Sequence, residues 1–363
     1  MGEKIDPWSQ DLILDTPKLY SEFGLERVSP ALKKKFTHSH LFSRDIVVAH
    51  RDLPKWIKAA ESSKKNAAIM SGIKPSGDFH LGSKQTAEEI IFFQKEFGVK
   101  VFYGIADLEA HADNGLSLEQ ARENAISNVA DLLALGLDEK NSYIYRQSKE
   151  LRVMNKAFLL SSRVTGATFE AMYGERNMGL YLSVLAQVGD IFLPQHEDFG
   201  GPKEVLVPVG LDQDPHIRLS RDLAFKEKIV LPSATYHKFI RNLKGEAKMS
   251  KREPDSMIWL SEDLNSIKKK LMKTLTGGRE TADEQRRLGG DIEKCVIFDL
   301  CKTHFELDDE ALSNRYLRCT NGKMLCGECK SEVAALALEW FAKHQQRREK
   351  KMSLAQKIIE KQD

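Results

Sequence analysis

Between residues 67 and 148 three short apolar runs, "AAIMSGI", "VKVFYGIAD" and "SYIYRQS", alternate with two segments of helical periodicity, "SKQTAEEIIFFQKEFG" and "SLEQARENAISNVADLLALG". Runs this short, apolar and partly β-branched read as strands buried on both faces. Strands joined by crossover helices pair in parallel, with right-handed connections. A fourth run, "EVLVPVGLD", resumes the pattern after a mostly helical stretch at about 150–200, which reads as an insertion between two halves of one sheet.

The expectation is therefore an α/β chain: a Rossmann-like doubly wound parallel sheet with a helical insertion. After about residue 261 strands give out. "SEDLNSIKKKLMKTL", "DIEKCVIFDLCKTHF", "DDEALSNRYLRC" and "SEVAALALEWFAKHQQRREKK" carry helical periodicity, so an all-α C-terminal domain is expected over 261–363. The glycine pairs of "LTGGRETADEQRRLGGD" interrupt that pattern and mark the joint. Residues 1–64 mix turn residues with short amphipathic pieces and read as an N-terminal appendage to a catalytic domain at 65–260.

At 363 residues, 41% hydrophobic and 30% charged, the chain has the make-up of an ordinary soluble protein with material for a sizeable core. No run reaches the length needed to span a bilayer and residues 1–30 lack a secretory apolar region, so a cytoplasmic address is expected. The net charge of +2 announces no polyanionic partner. The basic tail "KHQQRREKKMSLAQKIIEKQ" reads first as a solvated, salt-bridged helix face.

In a doubly wound sheet ligands bind beyond the carboxyl ends of the strands, where the two halves diverge. "SGIKPSGDFHLGS" falls there: strand, glycine-rich turn, helix start. Gly72 and Gly77 permit tight backbone and close approach of a phosphate. The N–H groups of Gly82 and Ser83 at the helix start suit an anion, and His80 can donate to it. A second segment, "GEAKMSKREPDS", carries Lys248 and Lys251 on a loop, point charges suited to a leaving pyrophosphate. A third, "VGLDQDPHIRLSRDLA", ends a strand with Asp212 and Gln213, polar groups able to orient a substrate or ribose.

Taken together these stretches resemble a known family. "PSGDFHLGS" is similar to the HIGH signature and "KMSKR" to the KMSKS signature of class I aminoacyl-tRNA synthetases. "IDPW", "GLDQDPHIRLSRDLA" and "TGGRETADEQRRLGGD" resemble the tryptophanyl branch of archaeal and eukaryotic type, while "GIADLEAHAD" also resembles archaeal tyrosyl enzymes. The resemblance implies activation of tryptophan by ATP with Mg²⁺ to an adenylate, transfer to tRNA(Trp), and a homodimer. Tyrosine is the alternative substrate, and a non-catalytic tRNA-binding relative the alternative class.

It assigns Gly72, Pro75, Ser76, His80, Gly82, Ser83, Met249 and Ser250 to ATP, and His80, Lys248 and Lys251 to catalysis. Glu109 and Gln187 would hold the α-amino group, with Asp212 and Gln213 near the carboxylate or adenylate. The chain departs from the signatures at Ser83 and Arg252. It also places Met70 and Gly104 where eukaryotic tryptophanyl enzymes put a tyrosine and a glutamine against the indole N–H, so another group must meet that donor.

Five cysteines in such a chain argue against a disulfide framework. Cys319, Cys326 and Cys329 lie in "CTNGKMLCGEC", with Cys295 upstream, and thiolates at CxxC spacing bind zinc or an iron–sulfur cluster. Some tryptophanyl enzymes carry a cluster with nearly this order of spacings.

Overall fold

The computed structural model describes residues 7–8, 20, 23–246, 248–249 and 253–362. Ser250, Lys251 and Arg252 of the lysine segment lie outside them, as do Ile5 and Asp6 of "IDPW".

Seven strands form one sheet in the order β1-β2-β7-β6-β3-β4-β5. They are β1 (Glu26–Arg27), β2 (Val47–Arg51), β3 (Ala67–Ile73), β4 (Lys100–Ile105), β5 (Ser142–Arg146), β6 (Glu204–Gly210) and β7 (Ser233–His237). From β7 to β5 all neighbours are parallel, and β2 and β1 add antiparallel at one edge. The chain runs outward from β3 to β4 and β5, then returns to lay β6 and β7 on the other side of β3. The reversal therefore falls between β3 and β6, and a crevice opens beyond their carboxyl ends.

Helices cover both faces. α1 (Leu53–Ser62) precedes β3, and α2 (Leu81–Phe97) crosses from β3 to β4. Helices α3 (Asp107–Asn114) and α4 (Leu118–Leu135) lead to β5. The stretch before β6 holds α5 (Leu151–Ser161), α6 (Gly166–Tyr173) and α7 (Met178–Phe192), and α8 (Asp214–Glu227) joins β6 to β7. Beyond the sheet come α9 (Leu264–Lys273), α10 (Asp309–Thr320) and the 35-residue α11 (Cys326–Glu360).

The period of two along the strands sorts the core. Ala67 and Ile69 of β3 join Ile90, Val129 and Phe341 on one face, whereas Ala68 and Met70 join Val153, Val184 and Leu223 on the other. Local signals set the helix ends: Ser117 and Gln120 form a capping box on α4, and Gly136 closes it in the left-handed conformation.

Two results differ from the sequence expectation. Strands β1 and β2 lie within the segment read as an appendage, and β7, "SATYH", was not visible as a strand. Its alternation is hidden because both faces are buried and polar side chains find partners there; His237 Nδ1 lies 2.9 Å from Glu89 Oε2. The basic tail is also more than a solvated face. α11 packs along α4 and buries Val333, Ala337, Phe341 and His344. At its end Gln362 accepts from the Arg146 N–H on the open edge of β5 at 2.7 Å.

Candidate functional site

The two signature segments are joined by backbone. Leu81 N–H donates to Ile258 O at 3.2 Å and Leu260 N–H to Phe79 O at 2.8 Å, so the chain just after the lysine segment pairs with the chain around His80. Both segments then line one cavity of about 380 Å³ beyond the ends of β3 and β6. Of the residues singled out from sequence, Gly72, Ser76, His80, Ser83, Glu109, Gln187, Gln213, Lys248 and Met249 are on its wall, as are Met70 and Gly104. Gln187 Nε2 reaches Gln213 Oε1 at 3.4 Å, which brings α7 and the turn after β6 together.

Four expected residues sit differently from the sequence reading. Pro75 is buried and away from the wall; its carbonyl is tied to Asn124. The N–H groups of Gly82 and Ser83, expected to face an anion, point instead at the His80 ring, whose Nδ1 accepts from them at 3.1 and 3.4 Å. His80 is thus the N-cap of α2, and a Cβ at Gly82 would stand 2.9 Å from the imidazole Cε1, so a larger residue there would displace the ring. Asp212 is buried beside the cavity, where its Oδ2 accepts from Lys248 Nζ at 2.5 Å. The reason for Gly72 also changes. A Cβ at Gly72 would fall 2.3 Å from Gly104 O, so close packing of β3 on β4 demands glycine.

Among the wall residues that sequence reasoning missed are Trp8, Lys74, Asp190 and Gln147. Trp8 donates from Nε1 to Glu109 Oε1 at 3.2 Å and packs edge-on against Tyr173 and His216. Lys74 lies 3.4 Å from Glu109 Oε1 and 2.5 Å from Asp113 Oδ2. Asp190 and Gln147 form the polar pole of the cavity near Met70 and Gly104.

Asp190 accepts from Tyr145 OH at 2.7 Å and from Gln147 Nε2 at 2.5 Å. Burial, with the neighbouring charges of Asp107 and Glu109, pushes its carboxyl up to about 7 against those two hydrogen bonds. A Cβ at residue 104 would lie 3.2 Å from Tyr145 OH, so glycine leaves the room that this phenol takes. An acid inside the apolar run "LAQVGDIF", three residues after Gln187, was the available signal.

Cys295, Cys319, Cys326 and Cys329 come together around a second, water-sized cavity of about 10 Å³. All five cysteines are free. Burial pushes the thiols of Cys295 and Cys319 up, and that of Cys329 to about 11. Among the described residues no group of three or more His, Cys, Asp and Glu side chains is arranged to hold a metal ion. The four expected cysteines are thus gathered around one cavity. No described helix is long and apolar enough to cross a membrane.

The family model for class I tRNA synthetases (W and Y) matches residues 62–342. A tryptophan–tRNA ligase of Methanocaldococcus jannaschii is 36% identical over 366 residues, covering 98% of each chain. One from Aeropyrum pernix is 41% identical, over 99% of this chain and 98% of its own. The crystal structure of tryptophanyl-tRNA synthetase from Aeropyrum pernix K1 superposes with a TM-score of 0.89 at 39% identity, covering 96% of both chains. That of Encephalitozoon cuniculi, bound to tryptophan, gives 0.83 at 26% identity, over 93% of this chain and 95% of its own.

Proposed function

The chain belongs to the class I tRNA synthetases (W and Y), and from that premise we propose that it is a tryptophan–tRNA ligase. The observation that carries the proposal is the single cavity lined by His80 on one segment and Lys248 on the other, with Asp190 and Gln147 on the same wall.

The tryptophan carboxylate attacks the α-phosphorus of MgATP and the bond to the β,γ-pyrophosphate breaks, giving tryptophanyl-adenylate. The 3′-terminal hydroxyl of tRNA(Trp) then attacks the activated carbonyl and releases AMP. In-line displacement of this kind needs positioning and charge neutralisation more than covalent chemistry. His80, fixed by its capping contact, and Ser76 and Ser83 meet the phosphates. Lys248, together with Lys251 outside the described residues, takes up charge on the departing pyrophosphate. Glu109 and Gln187 hold the α-amino group, and Gln213 the carboxylate.

Asp190 supplies what Met70 and Gly104 lack. Its carboxylate, oriented by Tyr145 and Gln147, accepts the indole N–H, the donor that would otherwise be buried unpaired at a cost of about 1–3 kcal/mol. ATP–pyrophosphate exchange with tryptophan and tyrosine side by side tests the reading. Tryptophan-dependent exchange is expected. Exchange with tyrosine alone would reassign the substrate, and none with either would make the chain a non-catalytic relative.

The helical residues 261–363 are the tRNA anticodon-binding part of this reading. A homodimer is supported by apolar side chains left in solvent on α5, Leu151, Phe158 and Leu159, beside Met178 and Leu182 of α7 and Phe225 of α8. The zinc ion or iron–sulfur cluster that the resemblance implies would be held by Cys295, Cys319, Cys326 and Cys329, which meet around one small cavity. Backbone N–H groups of Gly277 and Phe298 face the Cys295 sulfur and that of Gly290 faces Cys319, donors that stabilise thiolate ligands. A Cβ at Gly290 would come 2.7 Å from Cys319 Sγ. A bound cluster would staple the segment at Cys295 and the end of α10 at Cys319 to the start of α11. Iron below about one tenth of an equivalent per chain, in protein purified without oxygen, would dismiss it.

A further inference from the structure

The nucleotide loop between β3 and α2 has no regular structure of its own, so its backbone must find partners elsewhere. α4 supplies them. Asn124 Nδ2 donates to Pro75 O at 2.9 Å and Asn128 Nδ2 to Gly77 O at 3.0 Å. Between these two asparagines Ser127 Oγ donates to Asp78 Oδ1 at 2.8 Å, while Ser261 Oγ donates to Asp78 Oδ2 at 2.6 Å. Asp78 thus sits two residues before His80 and ties the loop to α4 and to the segment that follows the lysine hairpin.

Ser127 has one proton to give, and the direction in which it gives it is set from outside. Arg348 of α11 donates from Nη2 to Ser127 Oγ at 2.7 Å. A guanidinium has no acceptor, so the hydroxyl must turn its proton to Asp78. Arg348 is itself held by the buried Asp131 of α4, whose Oδ1 lies 3.1 Å from Nε as an ion pair outside directed hydrogen-bond geometry. The same oxygen is 2.8 Å from His344 Nε2. Without Arg348 the serine is free to bond a carbonyl of its own helix, the usual recourse of a helical serine, and Asp78 loses one of its two tethers.

We infer that Arg348 is a positioning residue for the nucleotide loop, acting through Ser127 and Asp78, so that the C-terminal helix sets the geometry at which the loop and His80 receive the triphosphate. This rests on the assignment of ATP to that loop. If the unaltered chain shows no exchange at all, that assignment fails; the inference is judged on variants of an active chain.

The experiment is steady-state ATP–pyrophosphate exchange by the full chain, with thermal unfolding measured alongside. Arg348→Met is expected to raise KM for ATP about tenfold, the loss of one charge-assisted hydrogen bond, with KM for tryptophan within about twofold of the parent. Arg348→Lys, which keeps the charge and a donor, recovers part of the loss. Ser127→Ala should reproduce the effect with little change in packing, and the double variant should be no worse than the worse single one, because both break the same path. A lower unfolding temperature with KM for ATP unchanged would overturn the inference, as would equal rises in both KM values or additive losses in the double variant. If Arg348→Met does not fold, Ser127→Ala decides by the same criteria.

Discussion

Lys248 Nζ donates to Asp212 Oδ2 at 2.5 Å, which ties the lysine segment after β7 to the turn that ends β6. The ammonium carries three protons, so it can keep this carboxylate and still donate to a pyrophosphate. In the proposed reaction an interaction gained only as charge develops on the leaving group lowers the barrier selectively. Lys248→Ala should reduce the exchange rate by about 10²–10³, the usual cost of one such contact. Equilibrium binding of tryptophan should change by less than about twofold, since Lys248 is assigned to pyrophosphate and not to the amino acid. Exchange kinetics and a tryptophan titration by calorimetry check the two halves. Equal loss in both would reject the role.

The Asp190 carboxyl gives the site a pH dependence. An ordinary aspartate titrates near 3.8, whereas this one, buried, is pushed up to about 7. Between those values the folded chain holds a proton that the unfolded chain has lost. The contribution of this group to stability is therefore greatest at low pH and declines as pH rises from about 4 through 7. Ligand recognition runs the other way, because the ionised form is the stronger acceptor. kcat/KM for tryptophan should rise with pH through about 7, and in Asp190→Asn that step should vanish. The same variant should lower kcat/KM for tryptophan by about 10- to 100-fold. It should also lose preference over the analogue in which sulfur replaces the indole N–H.

The pattern of the four apolar runs was enough to locate β3 to β6 and the helices between them, because β3, β4 and β6 are buried along most of their length and β5, at the edge, still reads as a short apolar run. β2 and β7 were hidden for the opposite reason. Their His50, Ser233, Thr235 and His237 are buried polar residues that only tertiary packing explains. At the site, glycines and signature residues were legible, yet their roles were partly misread. Gly72 answers to Gly104 across the sheet and the Gly82 N–H to the His80 ring, relations that linear spacing does not carry. Asp190 was missed because a single acid on an apolar helix looks like a break in pattern until Tyr145 and Gln147 are seen against it.

Phe158 stands 79% exposed on α5, one residue from Leu159 at 64% and seven from Leu151 at 71%. Positions i and i+7 share a helix face, so Leu151 and Phe158 form an apolar stripe with no cover. If a second copy covers it, placing a charge there buries that charge unpaired in the assembly while costing the free monomer little. Phe158→Glu should shift the mass seen by sedimentation from two chains to one at micromolar concentration and leave the far-ultraviolet spectrum unchanged. A parent chain that already sediments as one copy would remove the dimer from the reading.

One turn beyond His80, Lys84 is 1% exposed and holds the catalytic sheet to the C-terminal helices. Its Nζ donates to Glu88 Oε1 at 2.7 Å, lies 3.1 Å from His304 Nδ1, and sits 4.8 Å above the Trp340 ring. Burial lowers the lysine pKa and would favour its neutral form, but Glu88 opposes that shift. Deleting the lysine alone leaves the Glu88 carboxylate beside His304 in an interior site, and breaking such a pair typically costs about 3–5 kcal/mol. Lys84→Met should therefore lower the urea midpoint of the whole chain in one transition, since the contact spans both parts. Replacing both partners, Lys84→Met with Glu88→Leu, should recover most of the loss, because apolar substitution of a whole buried pair is often neutral. A single variant that unfolds at the parent midpoint would mean that the charge contributes nothing to the joint.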